Sequence, residues 1–146
     1  MIPEKAVIRR TMEALENAER SMFSVISWKK FSDLMLNARK LGLIRALKRG
    51  VKLQFIIEKP EKVNQISKIV ETLRKKYSFD IRYLPFAPLA HLAFIDNKEV
   101  FINTTTTGKL AETPILWSNS SCLVAVVHDY LETLWLTTFE EYNAAV

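Results

Sequence analysis

The stretch His91-Leu92-Ala93-Phe94-Ile95-Asp96-Asn97-Lys98-Glu99-Val100-Phe101-Ile102-Asn103-Thr104 decides the architecture. Leu89 to Asp96 and Glu99 to Asn103 are runs of apolar, strand-forming residues joined at Asp96-Asn97-Lys98. Asp and Asn tolerate the positive φ that a tight turn between two strands requires, so the stretch reads as an antiparallel hairpin. A polar loop follows, Thr104-Thr105-Thr106-Thr107-Gly108-Lys109, and then Ile115-Leu116-Trp117, a short further strand.

Upstream of the hairpin the hydrophobic period changes. Ile8, Met12 and Leu15 recur at helical spacing, which gives a helix over about 4–20. Met22-Phe23-Ser24-Val25-Ile26 is short and apolar between polar flanks, a buried strand. Ser27 suits the N-cap of a second helix, with Phe31, Leu34, Ala38 and Leu41 as its stripe. That helix is expected to run to about Arg49, where Gly50 stops it. Val51 to Glu58 is a second strand, Pro60 opens a third helix striped by Val63, Ile66, Val70, Leu73 and Tyr77, and Phe79 to Leu84 is a third strand. Strands separated by helices pair in parallel through right-handed crossovers. The expected fold is therefore α/β: a mixed sheet of three parallel strands extended by an antiparallel hairpin, with helices on both faces. The last helix, over about 121–142, carries Leu123, Val124, Val127, Tyr130, Leu131, Leu134, Trp135 and Phe139. That is more apolar surface than one buried face uses, so either the helix is central or its second side meets another chain.

Composition narrows the function classes. The 146 residues, 49% hydrophobic and 25% charged, suit one globular domain over 1–146. Lys and Arg number 21 against 16 Asp and Glu, a net charge of +5 that permits weak attraction to polyanions. The basic residues alternate with apolar ones at helical spacing, the pattern of solvated helix faces. The single cysteine, Cys122, lies in an apolar run and reads as a buried, inert thiol. His91 and His128 stand in different elements without ligand spacing, so no metal or other cofactor is expected. No secretory signal is visible, and the longest apolar run falls far short of the ~20 residues a bilayer span needs, so a cytoplasmic protein off the membrane is expected. The opening directly into an amphipathic helix suggests a further domain upstream.

A strand histidine, an acidic hairpin turn and a strand ending in a small hydroxyl residue together resemble the second half of a phospholipase D-type half-domain. In active members of that superfamily the pattern is His-x-Lys, an acid, and a Gly-Ser-type strand end. The histidine attacks phosphorus, the lysine neutralises phosphate oxygens, and two half-sites meet across a dyad. This chain departs from the pattern in three places. Residues i and i+2 share a strand face, so Ala93 stands where the lysine should. Asp96 is closer to His91 than the acid should be, and the second strand ends in Asn103-Thr104. Phosphoryl transfer depends on positive charge around the developing anion, so no catalytic residues and no enzyme are expected. A lysine or arginine brought beside His91 from elsewhere, Lys98 or Lys109 being candidates, would reverse that reading and revive a phosphodiesterase or nuclease assembled as a homodimer.

The succession Ala18-Glu19, Lys48-Arg49-Gly50-Val51-Lys52, His91 to Val100, Pro114-Ile115-Leu116-Trp117-Ser118-Asn119 and Asp129-Tyr130-Leu131-Glu132-Thr133-Leu134-Trp135 resembles the effector domain of TrmB-type archaeal transcription regulators. The resemblance implies a degenerate phospholipase D-like domain that binds an effector, a sugar in some members, and helps the protein dimerise. DNA is then bound only through an N-terminal winged helix that these residues do not include. In open α/β sheets ligands bind beyond the carboxyl ends of the parallel strands. That rule and the resemblance give Ser27, Trp28, Glu58, His91, Asn103 and Thr104 as candidate ligand-binding residues, around a pocket for a neutral or sugar-like molecule. Tyr130, Leu134 and Trp135 are the candidate dimer interface. The expected function is non-catalytic ligand sensing and dimerisation within a transcription regulator; a dimerisation module with no ligand is the plainer reading. Plainer readings also stand beside single residues: His91 as a satisfied core histidine, the threonine run as a solvated loop, and Trp117 and Trp135 as core or interface anchors.

Overall fold

The computed structural model describes residues 4–39, 41–60, 65–103 and 115–138. In chain order the elements are α1 (Glu4–Asn17), β1 (Ser21–Val25), α2 (Trp28–Leu36), α3 (Leu43–Lys48), β2 (Lys52–Glu58), α4 (Gln65–Lys76), β3 (Phe79–Leu84), β4 (Leu92–Ile95), β5 (Glu99–Asn103), β6 (Ile115–Ser118) and α5 (Ser121–Leu136). The six strands form one sheet in the order β3-β2-β1-β4-β5-β6. Strands β1, β2 and β3 run parallel, and β4, β5 and β6 are added antiparallel, each to the strand before it in the sheet.

The hairpin turn forms as its chemistry requires. Asp96 and Asn97 have φ of 53° and 57°, the left-handed pair of a tight hairpin loop. The Asp96 carboxylate then accepts three backbone N–H bonds, from Glu19 at 2.9 Å, Arg20 at 2.7 Å and Ser21 at 3.0 Å. One side chain thus ties the turn to the start of β1. The β1–β4 register, with Phe23 opposite Phe94 and Val25 opposite Leu92, brings the start of β4 beside the carboxyl end of β1. His91 is thereby delivered to the end of the sheet where Ser27 begins α2.

Alternation along the strands divides the core in two. Met22 and Ile26 of β1 and its following residue join Leu15, Phe31, Leu34, Leu53, Phe55, Ile66 and Ile81 under α1 to α4. Phe23 and Val25 face the other way, with Phe94 and Val100, and pack against Val127 and Leu131 of α5. Strand β2 is covered on both sides, with Phe55, Ile56 and Ile57 fully buried. Each such side chain contributes roughly 1.5–3 kcal/mol by leaving water.

Four expectations from the sequence change. The second helix is two: Asn37 Nδ2 donates to the Asp33 carbonyl at 2.7 Å and closes α2, and Gly42 at φ 87° turns the chain into α3. A left-handed residue cannot continue a helix, and glycine adopts it without a Cβ penalty. Strand β4 begins at Leu92, not Leu89, which is almost fully exposed. Helix α5 ends at Leu136, with Thr137 as its C-cap; Phe139 and Val63 lie outside the described residues or their described side chains. Cys122 is exposed, because the first turn of α5 turns that position outward.

Candidate functional site

The site grows from the start of α2. Ser27, at φ −70° and ψ 159°, caps the helix, and its Oγ accepts from the Lys30 N–H at 3.3 Å. The Trp28 N–H donates to Glu58 Oε1 at 3.0 Å, so a carboxylate from the end of β2 holds the positive end of the helix. These two contacts set the rotation of α2. Lys30 lies one turn before Leu34, on the buried face, and is 0% exposed.

Opposite it stands His91, 1% exposed, immediately before β4. Its backbone oxygen accepts from the Asn103 N–H at 2.9 Å, which joins the end of β5 to the same corner. Lys30 Nζ lies 2.9 Å from His91 Nδ1. Burial first, and the lysine second, depress the imidazole to about 4 from its ordinary 6.5, so the ring is neutral at pH 7. Burial also lowers the Lys30 amine below its usual value. As an ammonium Lys30 donates to Nδ1, and with that charge the ring proton is assigned to Nε2. Among the described residues no carboxylate pairs with Lys30.

Beside this pair is a cavity of about 80 Å³ between the sheet and the first two helices. Lys30, Ser24 and Asn103 contribute polar groups, Arg10 of α1 lines it too, and Met22, Leu34 and Phe101 are among its apolar walls. Ala93 also faces this space, on the strand face that His91 shares.

Five of the six residues expected to bind ligand meet at this end of the sheet; Thr104 lies outside the described residues. Their roles differ. Ser27 and Glu58 are occupied in starting α2, and Trp28 packs against Phe31 with ring centroids 6.0 Å apart. Asn103 lines the cavity, and His91 reaches it through Lys30. Lys30, Ser24 and Arg10 were not read from the sequence. The signal for Lys30 was there: counting back from Leu34 puts it on the apolar stripe.

The expectation that no cation stands beside His91 is overturned. The cation comes from α2, not from Lys98, which sits in the hairpin turn at the far end of β4; Lys109 lies outside the described residues. A histidine nucleophile needs a lone pair on Nε2 and a partner that accepts a proton from Nδ1, whereas an ammonium in that place can only donate. Asp96 cannot serve as that partner, since it is at the opposite end of β4 and bonded to three backbone amides.

On the second face, Trp135 meets Phe23 edge-on, centroids 5.3 Å apart, and the Arg82 guanidinium sits 4.4 Å from the centre of its ring. Trp135 therefore anchors α5 to its own sheet. Tyr130 is 38% exposed and Leu134 half-buried. Val126 and Leu136, at 64% and 82%, extend the outward apolar surface of the helix.

Sheet order, hairpin and the strand-end histidine together define a phospholipase D-like fold. The chain is similar to TrmBL2, an archaeal chromatin protein that binds DNA, at 18% identity and a TM-score of 0.70, over 97% of this chain and 53% of that one. It thus spans about half the length of that protein. It is also similar to Nuc from Salmonella typhimurium, a phospholipase D family member, at 18% identity and TM-score 0.71 over 95% and 93% of the two chains. NucT from Helicobacter pylori is similar at 17% and 0.70, over 94% and 92%. No family model and no curated protein matches the sequence. Among the described residues no helix is long and apolar enough to cross a membrane.

Proposed function

We propose that this chain is a non-catalytic, effector-sensing and pairing domain of a cytoplasmic transcription regulator of the TrmB type. One observation carries the reading: the histidine at the strand-end site is buried, and its Nδ1 lies 2.9 Å from the buried Lys30 amine, which as an ammonium leaves the ring proton on Nε2. The site keeps a small cavity beside a cation while lacking a free nucleophile, which is what a sensor needs and a phosphodiesterase cannot use. A sensor requires a ligand that prefers one of two states, and the cavity lies between two helices and the sheet, where filling it bears on their packing. The outward face of α5, through Val126 and Tyr130, is the surface for a second copy, while Leu134, expected there from the sequence, packs against the protein's own core. DNA is reached through a separate domain.

A second reading, a phosphodiesterase of two half-sites, is favoured by one fact: a lysine does stand 2.9 Å from the histidine. Turnover of bis-p-nitrophenyl phosphate separates the two. The sensor reading expects none above background; hydrolysis that disappears in His91→Ala establishes the enzyme.

A further inference from the structure

We propose that the cavity beside Lys30 takes a short-chain monocarboxylate, with its carboxylate on the lysine and its alkyl tail against Leu34, Met22 and Phe101. The proposal rests on the sensor reading and supplies the chemical class of its effector.

The first argument is charge. A buried cation is normally paired, because an ion removed from water without a counter-charge is costly. Lys30 is fully buried, yet its one described partner is a neutral imidazole nitrogen. An ammonium has three donors, so further donors remain for an acceptor in the adjoining space. Beside His91, the other described polar groups around the adjoining cavity are Arg10 on α1, Ser24 on β1 and Asn103 on β5. None is acidic. Glu58, the carboxylate nearest in the topology, is held by the Trp28 N–H. Among the described residues the cavity offers Lys30 and Arg10 and no acid to neutralise them.

The second argument is shape and wall chemistry. An apolar cavity of about 150 Å³ holds one benzene ring. The 80 Å³ here is smaller than a hexose requires and suits about four to six non-hydrogen atoms. The aliphatic and aromatic walls offer no partners for a ring of sugar hydroxyls, each of which loses water on entry. These walls favour an alkyl tail over the sugar-like ligand expected from the sequence. A single carboxylate on Lys30, with Ser24 and Asn103 in reach of the same corner, satisfies both the charge and the tail.

The experiment is calorimetric titration of the full chain with acetate, butyrate, octanoate, butyramide and glucose at pH 7. Butyrate is expected to bind at least tenfold more tightly than butyramide, its uncharged isostere, and than octanoate, which overfills the space. Lys30→Met, and the double variant Lys30→Met/His91→Leu that keeps the corner packed, should both lose at least tenfold in butyrate affinity. Equal binding of butyrate and butyramide, or no binding of either, overturns the proposal. Glucose binding without butyrate binding overturns it and leaves the sensor reading standing; phosphodiester turnover overturns the sensor reading whatever butyrate does.

Discussion

Lys30 Nζ and His91 Nδ1 lie 2.9 Å apart inside the core, joined across 61 positions of sequence. The pair reverses the usual logic of a histidine nucleophile. A carboxylate on Nδ1 pushes electron density toward Nε2 and stabilises the imidazolium, whereas an ammonium in that place withholds both. On the proposed reading, a phospholipase D-like fold holds this histidine in its unreactive tautomer.

Acid should destabilise the protein through His91. Its folded value of about 4 is below its ordinary 6.5, so the unfolded chain takes the proton first as pH falls. The stabilisation is fully present above pH 6.5, is lost between 6.5 and about 4, and levels off below. The full effect is on the order of 3 kcal/mol. Asp96 acts in a separate window: burial raises its value, but the three backbone N–H bonds and Lys98 outweigh burial and hold it low, so its contribution persists until below 3.8. Urea unfolding at pH 7.5, 5.5 and 4.5 should show a falling midpoint that His91→Gln flattens. An unchanged midpoint across that range contradicts the burial of a neutral imidazole.

Removing one member of the buried pair should cost more than removing both. Lys30→Met leaves Nδ1 without a donor, and about 1–2 kcal/mol is expected to be lost. Lys30→Met/His91→Leu leaves no orphan and should unfold at or above the wild-type temperature. A double-mutant cycle by thermal unfolding measures the coupling. If the losses simply add, the two side chains do not interact.

The hairpin turn is held by one carboxylate. Asp96→Ala removes three charge-assisted bonds and also places a Cβ-bearing residue with no polar tip at positive φ, so a loss of about 2 kcal/mol is expected. Asp96→Asn keeps the turn and loses less. Neither should change ligand affinity, because the turn is at the other end of the sheet from Lys30. A matching fall in affinity means that Asp96 belongs to the site.

On α5 two aromatic residues should behave differently. Tyr130→Glu alters only the outward face and should convert a dimer to monomer in sedimentation velocity, with the unfolding temperature unchanged. Trp135→Ala removes the ring between Phe23 and Arg82 and should cost about 3 kcal/mol whatever the oligomeric state. A wild-type monomer at high concentration removes α5 as an interface.

Much of the fold was legible because its strands obey simple periods. The Asp96-Asn97 turn and the apolar β1, β2 and β3 runs led to the mixed sheet as observed. The break between α2 and α3 was hidden because Ala38 and Leu41 continue the stripe of Phe31 and Leu34; the core is followed through a turn as well as through a helix. The site was half legible. Strand ends brought Ser27, Glu58, His91 and Asn103 to one corner, but lysine is almost always solvated, and Lys29-Lys30 reads as an exposed pair. Its spacing from Leu34 put Lys30 on the apolar stripe, and the rotation set by Ser27 and Glu58 turns that stripe inward. The Cys122 expectation failed for the complementary reason: an apolar run on a helix covers every side, and one side of α5 faces outward.

The most direct test is nitrogen-15 NMR of the His91 ring in the intact protein between pH 6 and 8. A proton on Nε2 and an accepting Nδ1 throughout that range is the predicted result, since Lys30 can only donate. A proton on Nδ1, with a bare and nucleophilic Nε2, would mean that Lys30 is an uncharged amine accepting from the ring, and it would contradict the non-catalytic account.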